Sequence, residues 1–148
     1  MVGQARLRSS KMANERCRCI SPAHRKREQW YEYTEKWWAA LCRLLECDPR
    51  LPRVPFEVDD EFIGREYGDP AEACLDAIAL MAQTEGILLD PVYSGKVASG
   101  FLAHHTAGRW PLGSQVLLHS GGTPALFAYH AEIRAHLSKR GVSTGSEQ

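Results

Sequence analysis

The chain has 148 residues, of which 44% are hydrophobic and 24% charged, and 18 basic residues balance 18 acidic ones. This length and composition fit one compact domain and exclude collagen-like, low-complexity and wholly disordered chains. No stretch approaches the ~20 apolar residues that cross a bilayer, and the balanced charge argues against a dedicated nucleic-acid binder. We therefore expect neither a membrane nor a nucleic acid as a partner.

The start of the chain is strongly basic. Residues 1–27 contain eight Lys and Arg residues against one acid, Glu15, which predicts a disordered segment over residues 1–19. A basic, Ser-containing start is also faintly similar to an organelle transit peptide, so an organelle stays open beside the cytoplasm as the compartment. We expect a flexible tail over residues 141–148.

The five cysteines do not suggest a metal centre or a disulfide framework. No apolar signal segment precedes them, which favours a reducing compartment with free thiols. The spacings Cys17-x-Cys19 and Cys42 to Cys47 do not match the common zinc sites. We therefore predict no metal ligands.

The first half of the chain predicts two helices with a short strand between them. Ser21-Pro22 is typical of a helix start, and the helix should run to about Glu46. Its apolar stripe at helical spacing is predicted to pack in the core: Trp30, Thr34, Trp37, Trp38, Leu41, Leu44 and Leu45. The stretch FEVDDEFIGREYGDP carries a short strand signal, and Asp69-Pro70 should open the second helix.

The second half contains two short apolar runs, residues 86–89 and 115–119, that predict strands. Each run ends in a polar turn with glycine, DPVYSG or HSGG, and each turn precedes a predicted helix, near Lys96 and at Thr123-Pro124. This order predicts an α/β fold with an open, mainly parallel sheet and flanking helices over residues 20–140.

The two polar turns are the predicted ligand site. Ligands of open α/β sheets bind beyond the carboxyl ends of the strands, where both turns should lie. If they are neighbours, they form one polar floor: Tyr93, Ser94, His119, Ser120, Gly121 and Gly122. Ordinary turns with capping hydroxyls are the alternative, because no G-x-G-x-x-G, P-loop or H-E-x-x-H motif is present.

The strings TEGILLDPVYSGKVASG and GSQVLLHSGGTPALFAY closely resemble the C-terminal part of a family of pyridoxal-phosphate enzymes. The family includes D-cysteine desulfhydrase and 1-aminocyclopropane-1-carboxylate deaminase and has the tryptophan-synthase-β-like fold, called fold type II. The upstream stretch VDDEFIGREYGDPAEACLDAIALMAQTEG is similar to the same family. The resemblance spans roughly residues 20–130 and implies pyridoxal 5'-phosphate as the cofactor.

The resemblance also implies roles for single residues. Ser94 matches the position that faces the pyridine nitrogen of the cofactor, where deaminases use a carboxylate and desulfhydrase-like members a hydroxyl. A hydroxyl can donate to a neutral nitrogen but supplies no negative charge. Ser120, in the H-x-G-G motif with His119, Gly121 and Gly122, is again a hydroxyl. Both positions favour β-elimination from a D-amino acid such as D-cysteine.

Two tyrosines complete the implied site. Tyr93 matches a family tyrosine over the substrate, a candidate for proton handling or positioning, and Tyr67 matches a second active-site tyrosine. The family's Schiff-base lysine, carboxylate-binding segment and phosphate loop lie upstream of the matched region and have no counterpart here, and Lys96 is not that lysine. The chain is therefore expected to be a C-terminal half that is inactive alone.

Three other readings stay open. A fragment of the deaminase type is possible, although Ser94 and Ser120 count against it. The second alternative is a non-catalytic remnant that acts by pairing with a full-length paralogue or as a homodimer. The third alternative is a gene product without function. RNA binding is opposed by the acidic stretch over residues 48–90.

Overall fold

The computed structural model describes residues 17–21, 26–51, 53, 55–110 and 113–141. This part of the chain combines helices with two parallel strands. In chain order the elements are β1 (Cys17–Ile20), α1 (Arg27–Leu44), β2 (Phe56–Asp59), α2 (Glu72–Glu85), α3 (Ser94–Thr106), α4 (Ala125–Ala128) and α5 (His130–Lys139). None of the described helices is long and apolar enough to cross a bilayer.

Strands β1 and β2 form a two-stranded parallel sheet whose register pairs Cys17 with Phe56 and Ile20 with Asp59. The ladder continues through Ser21, whose N–H donates to the carbonyl of Asp59 at 2.7 Å. The parallel α/β class is confirmed, and so is the strand predicted within FEVDDEFIG. The predicted disorder of residues 1–19 is wrong for 17–19, because these residues pair with β2; residues 1–16 lie outside the described ones.

The prediction that residues 86–89 and 115–119 form strands is wrong. Both runs are irregular, although they lie side by side: Leu117 packs against the core cluster that contains Leu89. A strand needs a neighbour that supplies backbone hydrogen bonds, and neither run is paired in a sheet in the described structure. Leu89 is buried in the core, but other apolar side chains of the runs are exposed, with Val116 at 89% and Leu118 at 82%.

The core lies between α2 and α3. Its buried members are Cys74, Ala77, Ile78, Leu89 and Ala98. Gly95 lets the two helices approach closely, because a Cβ at this position would lie 2.8 Å from Sγ of Cys74. The α2 helix begins three residues after Asp69, and α3 begins two residues before Lys96, so both helix predictions are confirmed to within a turn.

Helix α1 differs from its prediction at its start and in its packing. The N-cap residue of the described helix is Lys26 rather than Ser21, and the Ser21 hydroxyl accepts the indole N–H of Trp30 at 2.7 Å. The helix begins at Arg27, and residues 22–25 of the predicted helix lie outside the residues that the structure describes. Of its described side chains only Cys42 is buried, while Trp37 is 70% exposed, so the expected core stripe is largely on the surface.

The helix predicted at Thr123-Pro124 is present but broken. The short α4 ends at Ala128, Tyr129 separates it from α5, and α5 contacts α2. This contact includes a hydrogen bond between Nε2 of His136 and Oδ1 of Asp76 at 2.8 Å. The predicted tail, apart from Gly141, lies beyond the described residues.

Candidate active site

Two tyrosines from separate segments meet at their hydroxyl groups. Tyr67 lies in the loop between β2 and α2, and Tyr93 immediately precedes α3. Their hydroxyls are hydrogen-bonded, and their rings meet edge to face with centroids 6.0 Å apart. The bond with Tyr67, aided by partial burial, raises the pKa of Tyr93. The structure therefore brings together the two predicted catalytic residues. Both phenols are also exposed enough to reach a ligand.

A buried carboxylate, which the sequence analysis did not single out, organises the turn before α3. Asp90 is fully buried and accepts the backbone N–H groups of Val92, Tyr93 and Ser94 at 2.8–2.9 Å. Burial alone would raise the pKa of Asp90, but these bonds and that of the Ser94 hydroxyl outweigh it and lower the pKa. Asp90 therefore places a fixed negative charge at the positive end of the α3 dipole.

Ser94 uses its hydroxyl within the protein. Its Oγ accepts the N–H of Asp90 at 2.8 Å and donates to Oδ1 of Asp90 at 2.5 Å. The Ser94 proton is thus directed to Asp90, and toward the cavity Ser94 offers a lone pair. That Ser94 faces the ring nitrogen of a cofactor stays a prediction. Ser94 itself carries no charge, but the Asp90 carboxylate lies directly behind its hydroxyl.

A cavity of about 230 Å³ opens beside Ser94. Its walls come from α2, α3 and the two irregular apolar runs, and they are mostly aliphatic. Ser94 and His119 contribute the polar groups, among the lining residues Met81, Ile87, Leu89, Ser94, Val97, Leu117, Leu118 and His119. The size and character suit a small, partly apolar group better than an extended chain.

The H-S-G-G turn contacts the first turn through His119 and Gly122. Nε2 of His119 lies 3.1 Å from the carbonyl of Leu88, and Nδ1 accepts the N–H of Gly121 at 3.0 Å, which defines the Nε2–H tautomer. Gly122 lies against Asp90, and a Cβ there would be 2.5 Å from Oδ1.

The remaining predicted residues of this turn face outward. Ser120 is exposed, and no hydrogen bond of the described residues joins it to Ser94. Gly121 has φ +101° and open space on its Cβ side. The predicted polar floor therefore forms only in part. His119 and Gly122 lie next to the turn that contains Ser94, whereas Ser120 and Gly121 face outward.

No family model matches the chain, but comparisons with curated proteins and solved structures find similar proteins. A D-cysteine desulfhydrase of Serratia proteamaculans (strain 568) is 45% identical over 81 residues, which is 54% of this chain and 24% of that protein. A 1-aminocyclopropane-1-carboxylate deaminase of Variovorax paradoxus is 40% identical over 108 residues, 72% of this chain and 32% of that protein.

A solved structure described as an ACC deaminase homologue superimposes with a TM-score of 0.65 at 26% identity, over 81% of this chain and 35% of that one. Over the matched residues, this chain is similar to the D-cysteine desulfhydrase and ACC deaminase family. It spans 24–35% of the length of these relatives.

The family names imply pyridoxal phosphate, and the described residues fit only one end of it. The Ser94 hydroxyl borders the cavity that could take a flat ring, whereas Tyr67 and Tyr93 meet at the adjacent turn and do not line that cavity. Covalent attachment needs a lysine amine that reaches the ring. The buried Lys96 instead donates to the carbonyl of Ile63 at 2.9 Å, which ties the Tyr67 loop to α3. The other described lysines, Lys26, Lys36 and Lys139, are exposed.

Proposed function

We propose that the chain supplies one wall of the active site of a pyridoxal-phosphate lyase that eliminates the β-substituent of a D-amino acid such as D-cysteine. The observation that carries this proposal is the meeting of the Tyr67 and Tyr93 hydroxyls beside the Ser94 turn. The 45% identity to a D-cysteine desulfhydrase supports the same reaction. When bound, the cofactor would withdraw electrons from the substrate Cα.

The tyrosine pair would manage a proton in this reaction. Because the hydrogen bond with Tyr67 raises the pKa of Tyr93, the Tyr93 phenol stays protonated at neutral pH. A protonated phenol acts as a donor rather than as a base. Expulsion of hydrosulfide places a negative charge on sulfur, and Tyr93 would supply a proton to that leaving group while Tyr67 holds its hydroxyl in position.

Ser94 and Asp90 would set the polarity at the far edge of the ring. The Ser94 lone pair accepts a hydrogen bond, and the Asp90 charge behind it strengthens that acceptor. This arrangement favours a protonated ring nitrogen more than an isolated hydroxyl would. It therefore supports a second candidate, the ACC deaminase reaction, in which family members use a carboxylate at this position. Comparing D-cysteine with 1-aminocyclopropane-1-carboxylate as substrates of the enzyme completed by the remainder of the fold distinguishes the two.

The exposed apolar side chains on the two runs indicate that another polypeptide segment packs against them in the active enzyme. Leu88, Val116 and Leu118 are 49%, 89% and 82% exposed on segments that carry no strand pairing. Apolar surface of this kind marks an interface in a folded protein. We infer that the remainder of the family fold covers these runs, whether it is part of a longer chain or of a separate family member.

Spectral titration tests the dependence on that remainder. Pyridoxal phosphate is added to the chain while the visible absorbance of a Schiff base and the release of sulfide from D-cysteine are followed. We expect no shifted band and no sulfide from this chain alone, because no described lysine reaches the site. A shifted band with steady sulfide release would show that the chain needs no partner.

A further inference from the structure

The last turn of α1 closes in a way that brings two cysteines together. Glu46 has φ +52° and is the only non-glycine residue with positive φ in the described chain. The N–H of Cys47 donates to the carbonyl of Cys42 at 3.0 Å across this left-handed residue. Such a six-to-one bond defines the Schellman termination of a helix, in which the two flanking side chains come into contact.

The left-handed turn is what makes the contact possible. In a continued α-helix, residues five positions apart point about 140° away from each other around the axis. Here the reversal at Glu46 folds Cys47 back over the helix end toward Cys42. The indole N–H of Trp38 donates to the carbonyl of Pro49 at 2.9 Å and holds the following segment against the same helix.

The two thiols differ in access. Cys42 is 2% exposed and Cys47 is partly exposed, and both are free. Burial, followed by the neighbouring thiol of Cys47, raises the pKa of Cys42. Cys42 therefore remains a protonated thiol, and Cys47 is the group that solvent reagents meet first.

We propose that Cys42 and Cys47 form a site of reversible oxidation, closing to an intramolecular disulfide when the chain meets a hydroperoxide. The Cys47 thiolate attacks the terminal peroxide oxygen, the O–O bond breaks, and with hydrogen peroxide the products are a sulfenic acid and hydroxide. The Cys42 sulfur then attacks the Cys47 sulfur and displaces hydroxide, and the Cys42 proton ends on water. In sum, two thiols lose two electrons and two protons, and one hydrogen peroxide becomes two waters.

The Cys42–Cys47 pair should be oxidised in preference to Cys74, because the Cys74 thiol is buried and stays protonated. Burial raises the pKa of Cys74 to about 12, and its thiol donates to the carbonyl of Pro91 at 3.5 Å in the core. A buried, protonated thiol reacts slowly with peroxides. The proposal does not depend on the reaction that the chain supports, because α1 supplies no residue of the candidate active site.

Tryptic mapping tests the proposal directly. Cleavage after Lys36, Arg43 and Arg50 separates the two cysteines into peptides 37–43 and 44–50. After the folded chain is treated with hydrogen peroxide and its remaining thiols are blocked, we expect these peptides to be joined, two hydrogens lighter than their sum, and to separate on reduction. Cys47→Ser should abolish the joined species, and the matched variant Cys19→Ser should leave it unchanged.

Comparing the rate of disulfide closure in the folded and unfolded chain distinguishes the effect of the fold from that of closeness in the sequence. Disulfide closure in the folded chain should be about tenfold faster than in guanidinium, because the turn holds the sulfurs together. Equal rates would overturn the proposal, and this readout needs no variant to fold. Oxidation of Cys47 to sulfinic acid without joined peptides, or linkage of Cys47 mainly to another cysteine, would overturn it as well.

Discussion

The carboxylate of Asp90 and the backbone of Gly122 are in direct contact, so that a Cβ at Gly122 would lie 2.5 Å from Oδ1 of Asp90. This contact joins the D-P-V-Y-S turn to the H-S-G-G turn, which are about thirty positions apart in the sequence. Because Asp90 also holds Ser94, the second turn is positioned against the group that fixes the first.

Gly122→Ala should therefore destabilise the chain more than Gly121→Ala. Both glycines have positive φ, so alanine costs ~1–2 kcal/mol of backbone strain at either position. Only Gly122 adds a steric clash, with the Asp90 side chain, and we expect a further ~1–3 kcal/mol from this overpacking. Urea unfolding of the two variants measures the difference. Equal losses would show that the contact between the turns carries no energy.

Asp90→Asn should lower the free energy of unfolding by ~2 kcal/mol at neutral pH, since hydrogen bonds to a charged acceptor are replaced by weaker ones. The folded pKa of Asp90 is lowered, so its contribution is present above the ordinary carboxyl pKa and is lost as the pH falls through the folded value. The difference between wild type and variant should shrink as the pH falls from about 6 toward about 3. A difference independent of pH would contradict an ionised Asp90.

The sequence predicted the helices well because their signals are local. Pro at the first turn and apolar positions at helical spacing identified α2, the DPVYSG turn indicated α3, and the short strand signal identified β2. The strands predicted at 86–89 and 115–119 failed because a strand exists only where another segment pairs with it, and this information is not in the run itself. The same reason hid β1, which pairs with a segment 39 positions away.

The site was predicted from motifs, but its internal bonding was not. Tyr67 and Tyr93 were named as separate residues, and only the fold shows that their hydroxyls bind each other. Asp90 was seen as a turn residue before proline. A carboxyl three to four positions before the start of a helix is a signal for capping, and it could have indicated that the Ser94 proton is already used.

Tyr67→Phe should lower the pKa of Tyr93 toward its ordinary value near 10, because the hydrogen bond with Tyr67 is the main cause of the upward shift. Carbon NMR of ring-labelled tyrosine, followed against pH, reports the titration of Tyr93. Tyr33→Phe, on α1, is the matched control, and it should leave that titration unchanged. If Tyr67→Phe leaves the pKa of Tyr93 unchanged, the two hydroxyls are not hydrogen-bonded, and the proposed role of Tyr93 as a proton donor loses its basis.

Glu46→Gly should stabilise the chain by about 1 kcal/mol, because glycine adopts the left-handed conformation of this position without strain. Thermal unfolding measures the gain. Glu46→Ala removes the same carboxyl and keeps the strain, so it serves as the control and should give no such gain. Equal stability of the glycine and alanine variants would contradict the left-handed turn at the end of α1.

Complementation tests the proposed role in the active site most directly. The Serratia proteamaculans D-cysteine desulfhydrase, shortened by the segment that this chain matches, is coexpressed with the chain, and sulfide release from D-cysteine is measured. The excised segment of that enzyme, supplied in the same way, is the positive control. We predict that the chain restores sulfide release and that Tyr93→Phe lowers it by about 10²-fold. Restoration by the control segment but none by this chain would contradict the assignment.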